Sequence, residues 1–210
     1  AFHNAERVGI VGLNVLGAMS PGSLEYFQEA CDQWTSPDWH VPQFVHGMAM
    51  CISACVFEDI GLIDEVFFAY GEENDFELRA IRAGYGLLET NVPVWHHSQG
   101  TFSAFPVKSS FLAMRNAMRY ALKNENAPGI LRQFAVVAHT ACNPFFRGDM
   151  KNVCIRRLRP RNIFYNFCIL FTACLWNLLH LPWTWTARRR DLGKADAARA
   201  RWLEQRSCAE

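Results

Sequence analysis

Strand-like sequence is confined to the first half of this chain, and this uneven distribution is the feature that most restricts its fold. Short apolar runs next to glycines, such as Val8–Gly12 and Met48–Ser53, predict buried strands. Beyond about residue 105 the pattern is helical and is punctuated by prolines. We therefore predict an α/β region over residues 1–105 and a helical region over 106–210.

Start and stop residues predict the individual elements. Gly61 and Gly84 follow apolar helical stretches in the position where helices commonly end. Acidic residues in a first turn and prolines between segments give the other boundaries. The predicted helices are Leu24–Gln33, Ala54–Ile60, Glu72–Ala83, Ser110–Lys123, Gly129–Thr140, Ile163–Leu181 and Ala195–Gln205. Two further strands are predicted over Tyr85–Glu89 and Val92–Trp95.

Charge divides the chain in the same way as its secondary-structure pattern. Residues 1–100 hold 14 acidic and 3 basic side chains, whereas residues 101–210 hold 6 acidic and 18 basic ones. The net charge of +1 argues against a dedicated nucleic-acid-binding protein. The acidic part could hold a cation or an uncharged hydroxyl substrate, and the basic part could lie against anionic lipid headgroups.

The eight cysteines stand mostly in apolar runs and form no Cys-x-x-Cys pair. This usage predicts reduced, buried, small hydrophobic residues of a cytosolic protein rather than a metal cluster.

Four carboxylates stand within six residues at a predicted helix start: Glu72, Glu73, Asp75 and Glu77. Neighbouring like charges raise one another's pKa, while a helix N-terminus favours anions. One of these groups could therefore take a proton from a hydroxyl. The alternative is a solvated acidic turn that only compensates the helix dipole.

Two adjacent histidines, His96 and His97, end the last predicted strand. Because neighbouring side chains on a strand point to opposite faces, only one of them could face a given metal ion. The alternative is a strand-end histidine with a local hydrogen bond.

The order of these features resembles the C-terminal half of inverting family 2 glycosyltransferases of the GT-A fold, and most closely their rhamnosyl- and galactofuranosyltransferase-like branch. Those enzymes build cell-wall and other polysaccharides. The resemblance is specific over residues 47–102. The segments that carry it are Gly47–Met50, Gly61–Phe68, Glu72–Arg79, Ala83–Tyr85 and Pro93–His97.

The resemblance implies transfer of a sugar from a nucleotide-sugar donor to a hydroxyl of a glycan or lipid-linked glycan. It assigns the general base to Glu73, the second member of an acidic pair, with Glu72 and Asp75 beside it in the catalytic group. It assigns acceptor binding to Gly47, Tyr70 and Arg79. It also implies a divalent metal, Mn²⁺ or Mg²⁺, in the intact enzyme, with His96 as a ligand.

One departure from the family pattern changes what this chain can do. The Asp-x-Asp motif that holds the metal and the sugar diphosphate does not occur in the 210 residues. We therefore expect the donor-binding half to lie upstream of this sequence, and the isolated chain to be inactive. A non-catalytic membrane-docking module derived from such an enzyme is the alternative, and a small metal-dependent hydrolase is a further one.

The segment 156–190 combines seven arginines with an aromatic-rich apolar run over residues 163–185. About 20 apolar residues suffice to span a bilayer, but asparagines, a histidine and Pro182 interrupt this run. An interfacial helix, a core helix and a spanning helix are all compatible with the pattern. The interfacial interpretation predicts a cytoplasmic protein at the inner face of the membrane.

Overall fold

The computed structural model describes residues 7–17, 23–96, 106–142 and 163–208, and it shows a mixed α/β protein. In chain order the elements are β1 (Val8–Gly17), α1 (Ser23–Gln33), β2 (Trp39–His40), β3 (Met50–Ile52), α2 (Ala54–Ile60), α3 (Glu72–Arg82), β4 (Gly86–His96), α4 (Pro106–Asn124), α5 (Ala127–Cys142), α6 (Ile163–Leu179) and α7 (Leu181–Ser207). The predicted change from mixed to helical structure is confirmed for the described residues.

The four strands of the described residues form one mixed sheet in the order β2-β4-β1-β3. Strand β1 lies parallel to β4 and antiparallel to β3, and β2 lies antiparallel to β4. The two long strands, β1 and β4, are therefore the centre of the sheet. They come from opposite ends of the first half of the sequence.

The two strands predicted over 85–95 are one strand, β4. The apparent break is a change of register, because β1 advances from Gly12 to Asn14 while β4 advances from Glu89 to Pro93. Proline cannot donate to a sheet ladder. Pro93 is tolerated since β2 pairs only with Glu89 and Thr90, and Pro93 lies beyond that pairing.

The chain divides into two compact units that do not follow the predicted boundary at residue 105. The first unit contains residues 1–63, 76–100 and 191–210, and the second contains 64–75 and 101–190. The division falls within α3 and within α7.

The first unit has its core against the sheet. Ile10 of β1, Phe76 and Ala80 of α3, and Ala195 and Ala198 of α7 are fully buried there. The predicted helix over 195–205 therefore has one buried side. Gly9 allows this close packing, because a Cβ at this position would lie 2.8 Å from a Val56 methyl carbon.

The second unit has a separate core between α4, α5 and α6. Its buried apolar side chains are Met114, Met118, Val137, Ala141, Ile169 and Ala173. The helices predicted over 110–123 and 129–140 are thus confirmed. Helix α4 has no exposed residue from 109 to 124, whereas α5 has both buried and exposed positions.

The predicted helix ends at Gly61 and Gly84 are confirmed. Their φ angles are 79° and 91°, in the left-handed region that glycine adopts without steric cost. The burial predicted for the cysteines is wrong. Of the seven described ones, six are exposed and Cys174 is half-buried, all as free thiols, because apolar neighbours in sequence do not decide which helix face is covered.

Among the helices that the structure describes, none alone is long and apolar enough to cross a membrane. Helices α6 and α7 meet that requirement only as a pair bent by 63°.

Candidate functional site

The segment between Asp64 and α3 has a backbone that is unusual for its residues. Phe68 and Tyr70 have φ angles of 65° and 72°, and Gly71 follows with 89°. A left-handed conformation costs about 1–2 kcal/mol for a residue with a side chain. Such conformations persist only where the surroundings impose them, and they are frequent at functional sites.

Asn116 of α4 imposes this backbone conformation. Its buried side-chain amide donates to the carbonyl oxygens of Phe67, Ala69 and Tyr70, at 2.9, 2.6 and 2.9 Å. Three backbone carbonyls therefore converge on one side chain, which fixes the path of the chain into α3.

Arg115 supports the same turn. Its guanidinium donates to the carbonyl oxygens of Val66 and Phe67, at 2.7 and 2.8 Å. Burial, and then the charge of Arg119, lower the pKa of the Arg115 guanidinium to about 10. It stays a cation at neutral pH, so both hydrogen bonds are charge-assisted.

The predicted acidic pair stands directly after this turn. The backbone N–H of Gly71 donates to Glu73 Oε2 at 3.0 Å, which orients that carboxylate. Burial raises the pKa of Glu72, and the negative charge of Glu73 raises it further. The side-chain contact with Glu73 acts in the same direction.

One Glu72 oxygen, Oε2, is buried and has no hydrogen-bond partner among the described residues. An unsatisfied buried oxygen disfavours the ionised form of its carboxyl, which agrees with the raised pKa of Glu72. The pair thus contains two carboxyls in different environments, an arrangement that separates acid and base roles in many enzymes.

The third catalytic candidate, Asp75, lies in a different environment. Its carboxylate is fully buried and accepts hydrogen bonds from Lys123 Nζ at 2.7 Å and from Asn124 Nδ2 at 2.8 Å. Lys123 also donates to Asp64 Oδ2 at 3.0 Å, and Arg119 donates to that oxygen at 2.9 Å. Asp75 is therefore part of a buried ionic cluster that ties the start of α3 to α4.

Asp64 shows how strongly this cluster favours charged groups. Burial alone would raise the pKa of its carboxyl. The charges of Lys123 and Arg119 outweigh that effect and lower the pKa to about 2.

The fourth acidic residue, Glu77, is also fully buried, and its Oε2 accepts a hydrogen bond from the backbone N–H of Val45 at 3.2 Å. The alternative of a solvated acidic turn does not describe Asp75 or Glu77.

Three of the remaining predicted site residues, Gly47, Arg79 and His96, belong to the first unit. Gly47 is exposed in a turn, and His96 is the half-buried last residue of β4. Arg79 is buried, and its guanidinium donates to the carbonyl oxygens of Ile60 and Leu62, at 2.9 and 3.0 Å. Tyr70 belongs to the second unit with the acidic pair. His97 lies outside the described residues.

A divalent metal would need several oxygen or imidazole ligands together. Within the described parts of the chain there is no group of three His, Cys, Asp or Glu side chains that could hold one. His96 alone does not make a metal site, so these residues do not by themselves fit the Mn²⁺ or Mg²⁺ expected in the intact enzyme.

Sequence reasoning missed the basic side chains that organise this site. Arg115, Arg119 and Lys123 recur every four residues on α4 and are all buried. Three cations on one face of a helix that carries no acidic residue need counter-ions from elsewhere. The four-residue spacing of these cations was therefore the sequence signal for a buried ionic cluster. In the structure, Asp64 and Asp75 are the counter-ions.

Comparison of the chain with models of known protein families, with curated proteins and with solved structures gives no match. The family resemblance therefore depends only on the motifs over residues 47–102.

Proposed function

We propose that this chain is the acceptor-side part of an inverting glycosyltransferase and that Glu73 is its general base. The observation that carries the proposal is the carboxyl pair. Glu73 accepts a hydrogen bond from the Gly71 N–H at 3.0 Å, directly after a turn whose conformation Asn116 imposes, and its negative charge raises the pKa of Glu72 beside it. The order of motifs around the pair supports the assignment to a GT-A fold, and the mixed sheet with following helices is compatible with it.

The proposed reaction uses Glu73 as a proton acceptor. The oxygen of an acceptor hydroxyl forms a bond to the anomeric carbon of the donor sugar, and its proton passes to a Glu73 carboxylate oxygen. The bond between that carbon and the diphosphate oxygen breaks, and the diphosphate leaves with the electron pair. Attack from the side opposite to the leaving group inverts the anomeric configuration.

The geometry of the pair suits this role. The Gly71 N–H donates to Glu73 Oε2 at 3.0 Å, which orients this carboxylate. A general base acts best when it is held within hydrogen-bond reach of its substrate. Glu72 lies beside the base and is assigned no proton transfer.

The other site residues take more limited roles in the proposal. Gly47 and Tyr70 remain candidates for contact with the acceptor. Arg79 would act indirectly, since its guanidinium is buried against the carbonyls of Ile60 and Leu62. His96 could supply one imidazole to a metal whose other ligands are not among the described residues, and we assign no step to that metal.

Substitution of the pair in a polypeptide that also contains the donor-binding half tests the proposal. Transfer of labelled sugar from a panel of nucleotide-diphosphate sugars to glycan and lipid-linked acceptors is measured. Glu73→Gln should lower kcat by about 10²–10⁴, the usual contribution of a general base, and leave donor binding unchanged. Glu72→Gln is the matched control and should cost less, because Glu72 does not accept the proton in the proposed reaction.

Two results would contradict the assignment. Absence of transfer from every donor would reject the glycosyltransferase function. Wild-type turnover in Glu73→Gln, together with an inactive Asp75→Asn enzyme that remains folded, would show that the base was assigned to the wrong carboxylate.

A further inference from the structure

Helix α6 has two faces that differ sharply. One face packs into the core of the second unit, where Ile169 and Ala173 are buried. The same face carries Asn177, which is buried and whose amide donates to the carbonyl oxygens of Arg115 and Ala173, at 3.0 and 2.9 Å. The core-helix interpretation is therefore correct for this face, and a helix surrounded by lipid on all sides is excluded.

The other face is exposed and mainly apolar, with Cys168 and Thr172 exposed beside it. We call it the α6 apolar face, and its residues are Phe164, Phe167, Phe171, Leu175 and Leu178, which are 42–72% exposed. Their spacing of three or four residues places them on one stripe of the helix. The stripe follows a helix of 17 residues, about 25 Å long. A contiguous apolar surface of this kind marks an interaction site.

Exposed aromatic and basic residues follow α6 directly along the chain. Trp183 and Trp185, in the first turns of α7, are 67% and 46% exposed. The guanidinium carbon of Arg189 lies 6.0 Å from the centre of the Trp185 ring. Tryptophan beside arginine is the composition found at membrane interfaces.

The charge of the surrounding sequence identifies the occupant. From residue 151 to residue 190 the chain contains eight basic and no acidic residues. Among the described residues, Arg188–Arg190 follow the exposed Trp183 and Trp185 directly, and like-charge repulsion opposes the approach of a second copy that carries the same run. An anionic bilayer provides both an apolar layer and negative headgroups.

We propose that the α6 apolar face, with Trp183 and Trp185, lies in the headgroup region of an anionic lipid bilayer, and that Arg189 contacts lipid phosphates. This inference does not depend on glycosyl transfer, because it uses none of the residues of the carboxyl pair. The buried side of α6 stays against α4 and α5, so the helix lies along the surface of the bilayer.

Arg188 and Arg189 have different surroundings in the structure. Arg188 donates to the carbonyl oxygens of Leu122 and Glu125, at 3.0 and 2.7 Å, at the C-terminal end of α4. Its substitution would disturb the fold as well as any lipid contact. Arg189 is exposed and is the one to change in a binding test.

The test uses the 210-residue chain with vesicles of phosphatidylcholine, with or without phosphatidylglycerol. Co-sedimentation gives the partition coefficient, and tryptophan fluorescence reports entry into the headgroup region. Phe167→Ser/Phe171→Ser should reduce partitioning at least about tenfold, since each buried aromatic ring contributes to membrane affinity. Arg189→Ser should reduce it severalfold, and only on anionic vesicles.

Matched controls come from the C-terminal part of α7. Leu203→Ser is compared with Leu178→Ser, because both leucines are exposed helical residues at 51% and 67%. Arg199→Ser is compared with Arg189→Ser, because both arginines are exposed on the same helix. Both controls should bind vesicles as the wild type does. Circular dichroism and the unfolding midpoint check that each variant is folded.

The proposal is supported if Phe167→Ser/Phe171→Ser loses vesicle binding and if salt weakens binding of the wild type, since salt screens the arginine–phosphate attraction. Absence of wild-type binding, or equal binding of the Phe167→Ser/Phe171→Ser variant, overturns it. A wild-type dimer in sedimentation velocity that the same variant dissociates would show that a second copy covers the face, and would also overturn it.

Discussion

Replacing Lys123 with methionine isolates the buried ionic cluster. The Lys123 side chain is 1% exposed, and its Nζ lies 2.7 Å from Asp75 Oδ2 and 3.0 Å from Asp64 Oδ2. Methionine keeps the unbranched shape and removes only the charge and the donors. Asp64 keeps Arg119 as a partner, whereas Asp75 loses its ion pair inside the protein.

The expected decrease in the free energy of unfolding is set by two opposing effects, the attraction between the charges and the cost of removing them from water. At 2.7 Å and an effective dielectric constant of about 20, the Lys123–Asp75 attraction is about 6 kcal/mol. Removal of the ammonium also removes its own desolvation cost. Breaking one partner of a buried pair typically costs about 3–5 kcal/mol, because the remaining charge is uncompensated. We expect a loss in this range in the free energy of unfolding.

Urea unfolding followed by circular dichroism measures this change. The double variant Lys123→Met/Asp75→Asn should recover most of the loss, because neither side chain is then charged. A loss below about 1 kcal/mol, the size typical of exposed ion pairs, would refute the claim that this cluster is a buried structural unit.

Two further predictions concern the same turn. The pKa of Asp64 is lowered from 3.8 to about 2, so its contribution to stability is complete above pH 3.8 and is lost as the pH falls through 2. The loss should amount to about 2 kcal/mol in acid unfolding experiments, and Asp64→Asn should remove this part of the acid dependence. Asn116→Leu should cost at least about 2–3 kcal/mol, because the carbonyls of Phe67, Ala69 and Tyr70 lose a buried donor. Equal urea midpoints for wild type and Asn116→Leu would show that the turn holds its conformation without this amide.

Local sequence signals determined the elements well. The helix over 54–60, its end at Gly61 and the acidic start of α3 at Glu72 were all predicted from a few neighbouring residues. Helix capping, the helix dipole and glycine conformation act over one or two turns, so a sequence window contains their cause. The assignment of the acidic pair had another basis, the resemblance over residues 47–102.

Contacts between distant segments were not predictable in this way. Lys123 and Asp75 are 48 residues apart, and Lys123 and Asp64 are 59 apart. Sequence reasoning placed Asp75 beside Glu73 in one acidic group, whereas the fold turns it toward a lysine of α4. The spacing of the buried cations predicts that they need partners, but only the packing of α4 decides which carboxylates they meet.

The segment 156–190 shows most clearly what the sequence determines and what the tertiary structure decides. Its composition by itself determined that one helix carries an apolar surface next to clustered arginines. Only the tertiary structure decided which face of α6 is buried and that Arg188 is held by carbonyls of α4, while Arg189 is exposed. The physical reason is that a uniformly apolar helix has no preferred face until neighbouring helices cover one side of it.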